Sequence, residues 1–134
     1  MALAKTVVIP SELDAAQRAE NELLAEIAQY GYSEASQFAI KLAVEEALNN
    51  AIKHGNKFDD RRKVGLTFDI SADRAIVTVR DEGGGFDPGH LPDPTSDENL
   101  EKPTGRGVML MRAYMDEVSF NEKGNQVRLI KKNV

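Results

Sequence analysis

Two residues one helical turn apart carry the first chemistry legible in this sequence, Glu46 and Asn50. A carboxylate can take a proton from a hydroxyl or a water. An amide oxygen is a hard ligand of the kind Mg²⁺ accepts. At four residues' spacing on a helix the two side chains project from one face. Ile40, Val44, Ala47, Leu48, Ala51 and Ile52 form a broad apolar face around them, and Glu46 and Asn50 fall beside Ala39 and Ala43, which leave room above. Glu45 and Asn49 have the same spacing on the more polar side, so two pairs stay open, with helical phase favouring Glu46 and Asn50. Taken alone, such a pair is an ordinary solvated helix face.

Two glycine-rich stretches add to it. Asp81-Glu82-Gly83-Gly84-Gly85-Phe86-Asp87 follows an expected strand. Glycines strip side chains from the backbone there and let a flat ligand approach, and Asp81 can accept a hydrogen bond from an amino group. Thr104-Gly105-Arg106-Gly107 comes next, expected just ahead of a helix from Val108 to Met115. The free N–H groups of a helix start favour phosphate oxygens, and Arg106 adds positive charge. Neither stretch is a Walker P-loop or a dinucleotide fingerprint.

The elements that position these residues follow from periodicity and punctuation. Lys5 to Pro10 reads as a strand. Ser11 is the expected N-cap of a first helix reaching Tyr30, where Gly31 stops it. Ser33 caps a second, running to about His54 and ended by Gly55. Val64, Leu66, Phe68 and Ile70 alternate, Ser71 to Arg74 turns, and Ile76 to Val79 completes a hairpin. Val118–Phe120 and Val127–Ile130 flank the Lys123-Gly124 turn as a second hairpin. The order predicts an α+β fold, with helices over one face of a mixed, mostly antiparallel sheet.

Composition excludes several classes. The 134 residues suit one domain over the whole chain, 1–134. No cysteine is present, which removes disulfides and thiolate metal sites, and two histidines do not make a His-rich metal cluster. A net charge of −5 argues against direct nucleic-acid binding. No apolar run approaches the ~18 residues of a membrane span. The start, Met1 to Lys5, carries no signal-like apolar stretch, so a cytoplasmic protein with no membrane partner is expected.

Three motifs in this order resemble the GHKL ATPase family. Glu46 to Gly55 is similar to its N-box, Asp81 to Asp87 to its first glycine box, and Gly105 to Val108 to its second. Met115-Asp116-Glu117-Val118 resembles the branch of anti-sigma-factor serine kinases, and the likeness runs from about Pro10 to Lys131. It implies a Bergerat-type two-layer fold, with ATP and Mg²⁺ as cofactors. The roles it implies are general base for Glu46, magnesium ligand for Asn50 and adenine recognition for Asp81. Gly83 and Gly85 would lie under adenine and ribose. Gly105, Arg106 and Gly107 would end a lid, Phe86 to Pro103, over the phosphates. Many relatives carry a threonine where this chain has Asn125 and Gln126, and the lid ends here in Lys102-Pro103-Thr104.

The implied function is that of an ATP-dependent serine/threonine protein kinase and anti-sigma factor. Its partners would be a sigma factor and, as phosphorylation substrate, a STAS-type anti-sigma-factor antagonist. Relatives in this branch often dimerise, which leaves a homodimer open. Two alternatives stand beside it. One is an anti-sigma binding module with ATP as a structural ligand only. The other is the catalytic domain of a histidine kinase, for which the sequence offers no long helix pair with a phosphoacceptor histidine.

Overall fold

The computed structural model describes residues 4–83 and 103–133, with side chains from position 107 onward in the second stretch. Chain order is β1 (Lys5–Pro10), α1 (Leu13–Ala28), α2 (Glu34–Asn50), a π-helical turn (Ala51–Gly55), β2 (Lys63–Ile70), β3 (Arg74–Arg80), α3 (Pro103–Tyr114), β4 (Glu117–Phe120) and β5 (Gln126–Lys132). The strands form one sheet in the order β1-β2-β3-β5-β4.

Every pairing in this sheet is antiparallel, where a mixed, mostly antiparallel sheet was expected. The reason is topological. The link through α3 returns β4 in the same direction as β3, but β5 folds back between them and pairs with both. Among the described residues no parallel ladder forms.

Alternation along the strands decides which face the helices cover. Val64, Leu66, Phe68 and Ile70 on β2, Ala75, Val77 and Val79 on β3, and Val127 and Leu129 on β5 are buried. The residues between them stay half-exposed or exposed, except Ile130. Against the buried face pack Leu23 and Ile27 of α1 and Ile40, Val44 and Leu48 of α2. Each such side chain stabilises the fold by about 2 kcal/mol through the apolar area it removes from water.

Three helix ends differ from expectation. Ser11 does not cap α1, because its hydroxyl donates to the Arg62 carbonyl at 2.7 Å and accepts from Asn56 Nδ2 at 3.0 Å. Glu12 holds the cap position without a side-chain bond. Helix α1 ends at Ala28, and the N–H groups of Gln29 and Tyr30 tighten onto Glu26 and Ile27 before Gly31 turns the chain at φ 73°. Ser33 does cap α2, accepting from the Ser36 N–H at 3.1 Å. That helix then widens, as the Asn56 N–H reaches back to the Ala51 carbonyl at 2.8 Å and the Phe58 N–H to Ile52 at 2.9 Å. Such π turns are frequent at functional sites.

Candidate functional site

Helix α2 has two polar faces. Glu45 lies near Glu20 of α1 and adds to the charge around it. Glu46 and Asn50 face α3 instead, against Gly107. A β-carbon on Gly107 would stand 2.6 Å from Asn50 Nδ2 and 3.2 Å from Glu46 Oε2. Of the two pairs the sequence left open, Glu46 and Asn50 are therefore the ones beside the second glycine stretch. Both are half-exposed.

That glycine stretch is placed differently from expectation. Helix α3 starts at Pro103, so Gly105, Arg106 and Gly107 lie within its first turns rather than ahead of it. Proline suits a first helical position because its φ is preset and its missing N–H has no partner to lose there. Gly107 is tolerated inside the helix because a side chain would collide with α2. Gly85 and the expected lid, as far as Lys102, lie outside the described residues.

Asp81 directly follows β3 at the other side of the site and is 9% exposed. Its Oδ1 accepts the Gly83 N–H at 2.8 Å. Burial pushes its carboxyl above the ordinary value, and the Gly83 N–H, Lys123 and Arg62 pull it part of the way back. Gly55, at the end of the π turn, packs directly on it. A β-carbon on Gly55 would overlap the Asp81 carboxylate, and one on Gly83 would overlap the Gly55 carbonyl. Two glycines thus clear the space in which one buried carboxylate sits.

Between these groups opens a pocket of about 200 Å³. Its apolar lining comes from Ala47 of α2, Ala51 of the π turn, Val79 of β3, Met111 of α3, Phe120 of β4 and Val127 of β5. Asn50, His54, Asp81, Asn125 and Gln126 supply the polar groups. Glu46 and Gly107 stand outside this lining, next to Asn50. Burial, then Lys53, lowers the His54 pKa, which favours the neutral ring. An apolar slot with a few convergent polar groups is the usual form of a small-molecule site. Among the described residues no cluster of three or more His, Cys, Asp or Glu side chains is placed to hold a metal.

The family described as "Histidine kinase-like ATPase domain" matches residues 9–131. The chain belongs to this family. Curated relatives agree. The serine-protein kinase RsbW of Bacillus subtilis is 35% identical over 115 residues, covering 76% of this chain and 67% of the relative. RsbW of Staphylococcus epidermidis is 34% identical over 99 residues, 68% of this chain. The anti-sigma F factor of Clostridium perfringens is 35% identical over 97 residues, 69% of each chain. The match spans 62% of the Staphylococcus relative's length. A crystal structure of the RsbU and RsbW domains of a Mycobacterium tuberculosis protein has the same fold, with a TM-score of 0.65 at 14% identity, over 98% of this chain and 32% of that one.

Three residues of the site's frame carried no signal that spacing could reveal. Asn125 donates Nδ2–H to the Asp81 carbonyl at 3.1 Å, and its own carbonyl accepts the Asp81 N–H at 2.9 Å. Asn121 donates to Asn125 Oδ1 at 2.7 Å and fixes the amide's orientation. Asn56 accepts the Glu82 N–H at 2.8 Å. Asn125 thus braces Asp81 from behind as well as lining the pocket.

Proposed function

We propose that this chain binds MgATP in the Asp81 pocket and passes the γ-phosphoryl group to a serine or threonine hydroxyl of a STAS-type antagonist protein. In the same reading it holds a sigma factor in the cytoplasm. The observation that carries this is the meeting of Glu46, Asn50 and Gly107 beside a slot that ends in a buried carboxylate. The names of the relatives, serine-protein kinase and anti-sigma F factor, support the choice of substrate and partner.

The groups present fit the cofactor. Gly107 brings the α3 backbone directly against the Asn50 amide and the Glu46 carboxylate, with no side chain between. The apolar walls Val79, Met111 and Val127 suit the faces of a purine, and Asp81 would accept a hydrogen bond from its amino group. Gly83, and Gly85 beyond it, would leave backbone against base and ribose. Asn50 would hold Mg²⁺ through its amide oxygen. Gly105, Arg106 and Gly107 would serve the phosphate end. Bound Mg²⁺ would offset phosphate charge and orient the terminal phosphate. Glu46, one turn from Asn50, would accept the proton of the incoming hydroxyl and so align its oxygen for attack. Positioning and electrostatics do most of such work.

The test is transfer from γ-labelled ATP to a STAS-type antagonist, with wild type and Glu46→Gln. Labelling of a serine or threonine by wild type, lost in Glu46→Gln while ATP still binds, is the expected result. Equal labelling by Glu46→Gln contradicts the base assignment. ATP and partner binding without labelling by wild type would make ATP a structural ligand.

A further inference from the structure

Asn56 follows the π turn directly and is 0% exposed. It does not line the pocket. Its Nδ2 donates to Ser11 Oγ at 3.0 Å and to the Lys63 carbonyl at 3.0 Å. Its Oδ1 accepts the Glu82 N–H at 2.8 Å. The start of α1, the start of β2 and the turn after β3 are tied to one side chain.

The consequence lies at the turn. Three successive N–H groups leave the end of β3. Asp81 gives its own to the Asn125 carbonyl, Glu82 to Asn56 Oδ1 and Gly83 to Asp81 Oδ1. The third of these bonds orients the Asp81 carboxylate, and the Glu82 peptide between them is held at its N–H by Asn56, while the Glu82 carboxylate accepts the Lys63 N–H. Glu82 itself is exposed, so without that acceptor its N–H would be free to turn toward water. Turning it would carry Gly83 away from Asp81.

We infer that Asn56 is a positioning residue that sets the base selectivity of the pocket, acting through the Glu82 backbone without touching the nucleotide. This rests on the nucleotide reading above. A carboxylate fixed toward the base accepts a hydrogen bond from an amino group, as in adenine. It repels the carbonyl oxygen that guanine carries in the same place. Once the carboxylate can swing, that discrimination weakens for the base while phosphate contacts stay as they were.

The experiment compares ATP with GTP affinity by calorimetry for wild type, Asn56→Ser and Asn56→Asp. Serine is too short to reach the Glu82 N–H, and the preference for ATP should fall about tenfold. Aspartate keeps an oxygen there, so Asn56→Asp should retain most of the preference although it loses stability. A purely structural role would lower stability in both variants and leave the ratio untouched, which overturns the inference alone. Absence of ATP binding by wild type overturns it together with the nucleotide reading. Should Asn56→Ser not fold, amide exchange in wild type decides. The Glu82 N–H should exchange slowly, and exchange at the rate of an exposed loop amide overturns the inference.

Discussion

Gly107 on α3 and Asn50 on α2 lie so close that a β-carbon on Gly107 would stand 2.6 Å from Asn50 Nδ2. This closeness makes a glycine inside a helix necessary. Alanine there would favour the helix by roughly 0.5–1 kcal/mol, so Gly107→Ala should fold. Its methyl group would displace Asn50 and crowd Glu46. Displacements near 1 Å at a reacting group lower rates on the order of a hundredfold. Phosphoryl transfer should fall by about that factor, with a smaller loss of ATP affinity. Single-turnover labelling and calorimetry separate the two effects, and an unchanged transfer rate would contradict the geometry.

Glu45 and Glu46 are neighbours in sequence with different surroundings. Glu45→Gln should leave phosphoryl transfer at the wild-type rate, since its side chain is directed toward α1. It should also lower the pKa of Glu20, because Glu45 contributes to raising it. Transfer rates and pH-dependent melting curves report the two outcomes. Loss of transfer in Glu45→Gln would mean that the helix presents the other pair.

Glu20 sits between α1 and α2 at 2% exposure, and its Oε1 has no hydrogen-bond partner among the described residues. Burial first, and then Glu45, raise its pKa from 4.5 to about 7, against a smaller opposing pull from Lys41. A carboxyl raised in the folded state stabilises the fold fully below pH 4.5 and loses that contribution as pH rises toward about 7. Charging Glu20 in place should cost on the order of 2 kcal/mol at pH 8. Glu20→Gln should therefore melt roughly 5 °C higher than wild type at pH 8 and show little difference at acid pH. Equal melting temperatures at pH 8 would contradict the assignment.

The strands and most turns were legible because their signals are local. Pro10 closes β1, alternation marks β2, and Gly31 and Gly124 sit at φ 73° and 78°, where glycine is favoured. The motif order also anticipated that Glu46 and Asn50 stand on one helix and that Asp81 follows a strand. What stayed hidden depends on partners distant in sequence. Asn56 meets Ser11 45 residues away and Glu82 26 away, and Asn125 meets Asp81 44 away. Ser11 has the type and place of a cap, yet Arg62 and Asn56 claim its hydroxyl. The choice between Glu45 and Glu46 needed α3 in position, since helical phase separates the pairs by only 100°. The start of α3 was missed because glycines at 105 and 107 oppose a helix locally, and packing against α2 outweighs that preference.

Asp81 carries the central claim, and it gives a decisive measurement. Calorimetric titration of ATP, with and without Mg²⁺, should show Mg²⁺-dependent binding to wild type. Asp81→Asn should weaken it by between roughly tenfold and a hundredfold, the value of a hydrogen bond to a charged group. The substitution removes a charge that burial disfavours, so stability should not fall with affinity. Because the Asp81 pKa is raised, wild-type binding should also decline on acidification earlier than an ordinary carboxylate would require. Equal ATP affinity in wild type and Asp81→Asn, or no binding by wild type, would contradict the placement of the nucleotide in this pocket.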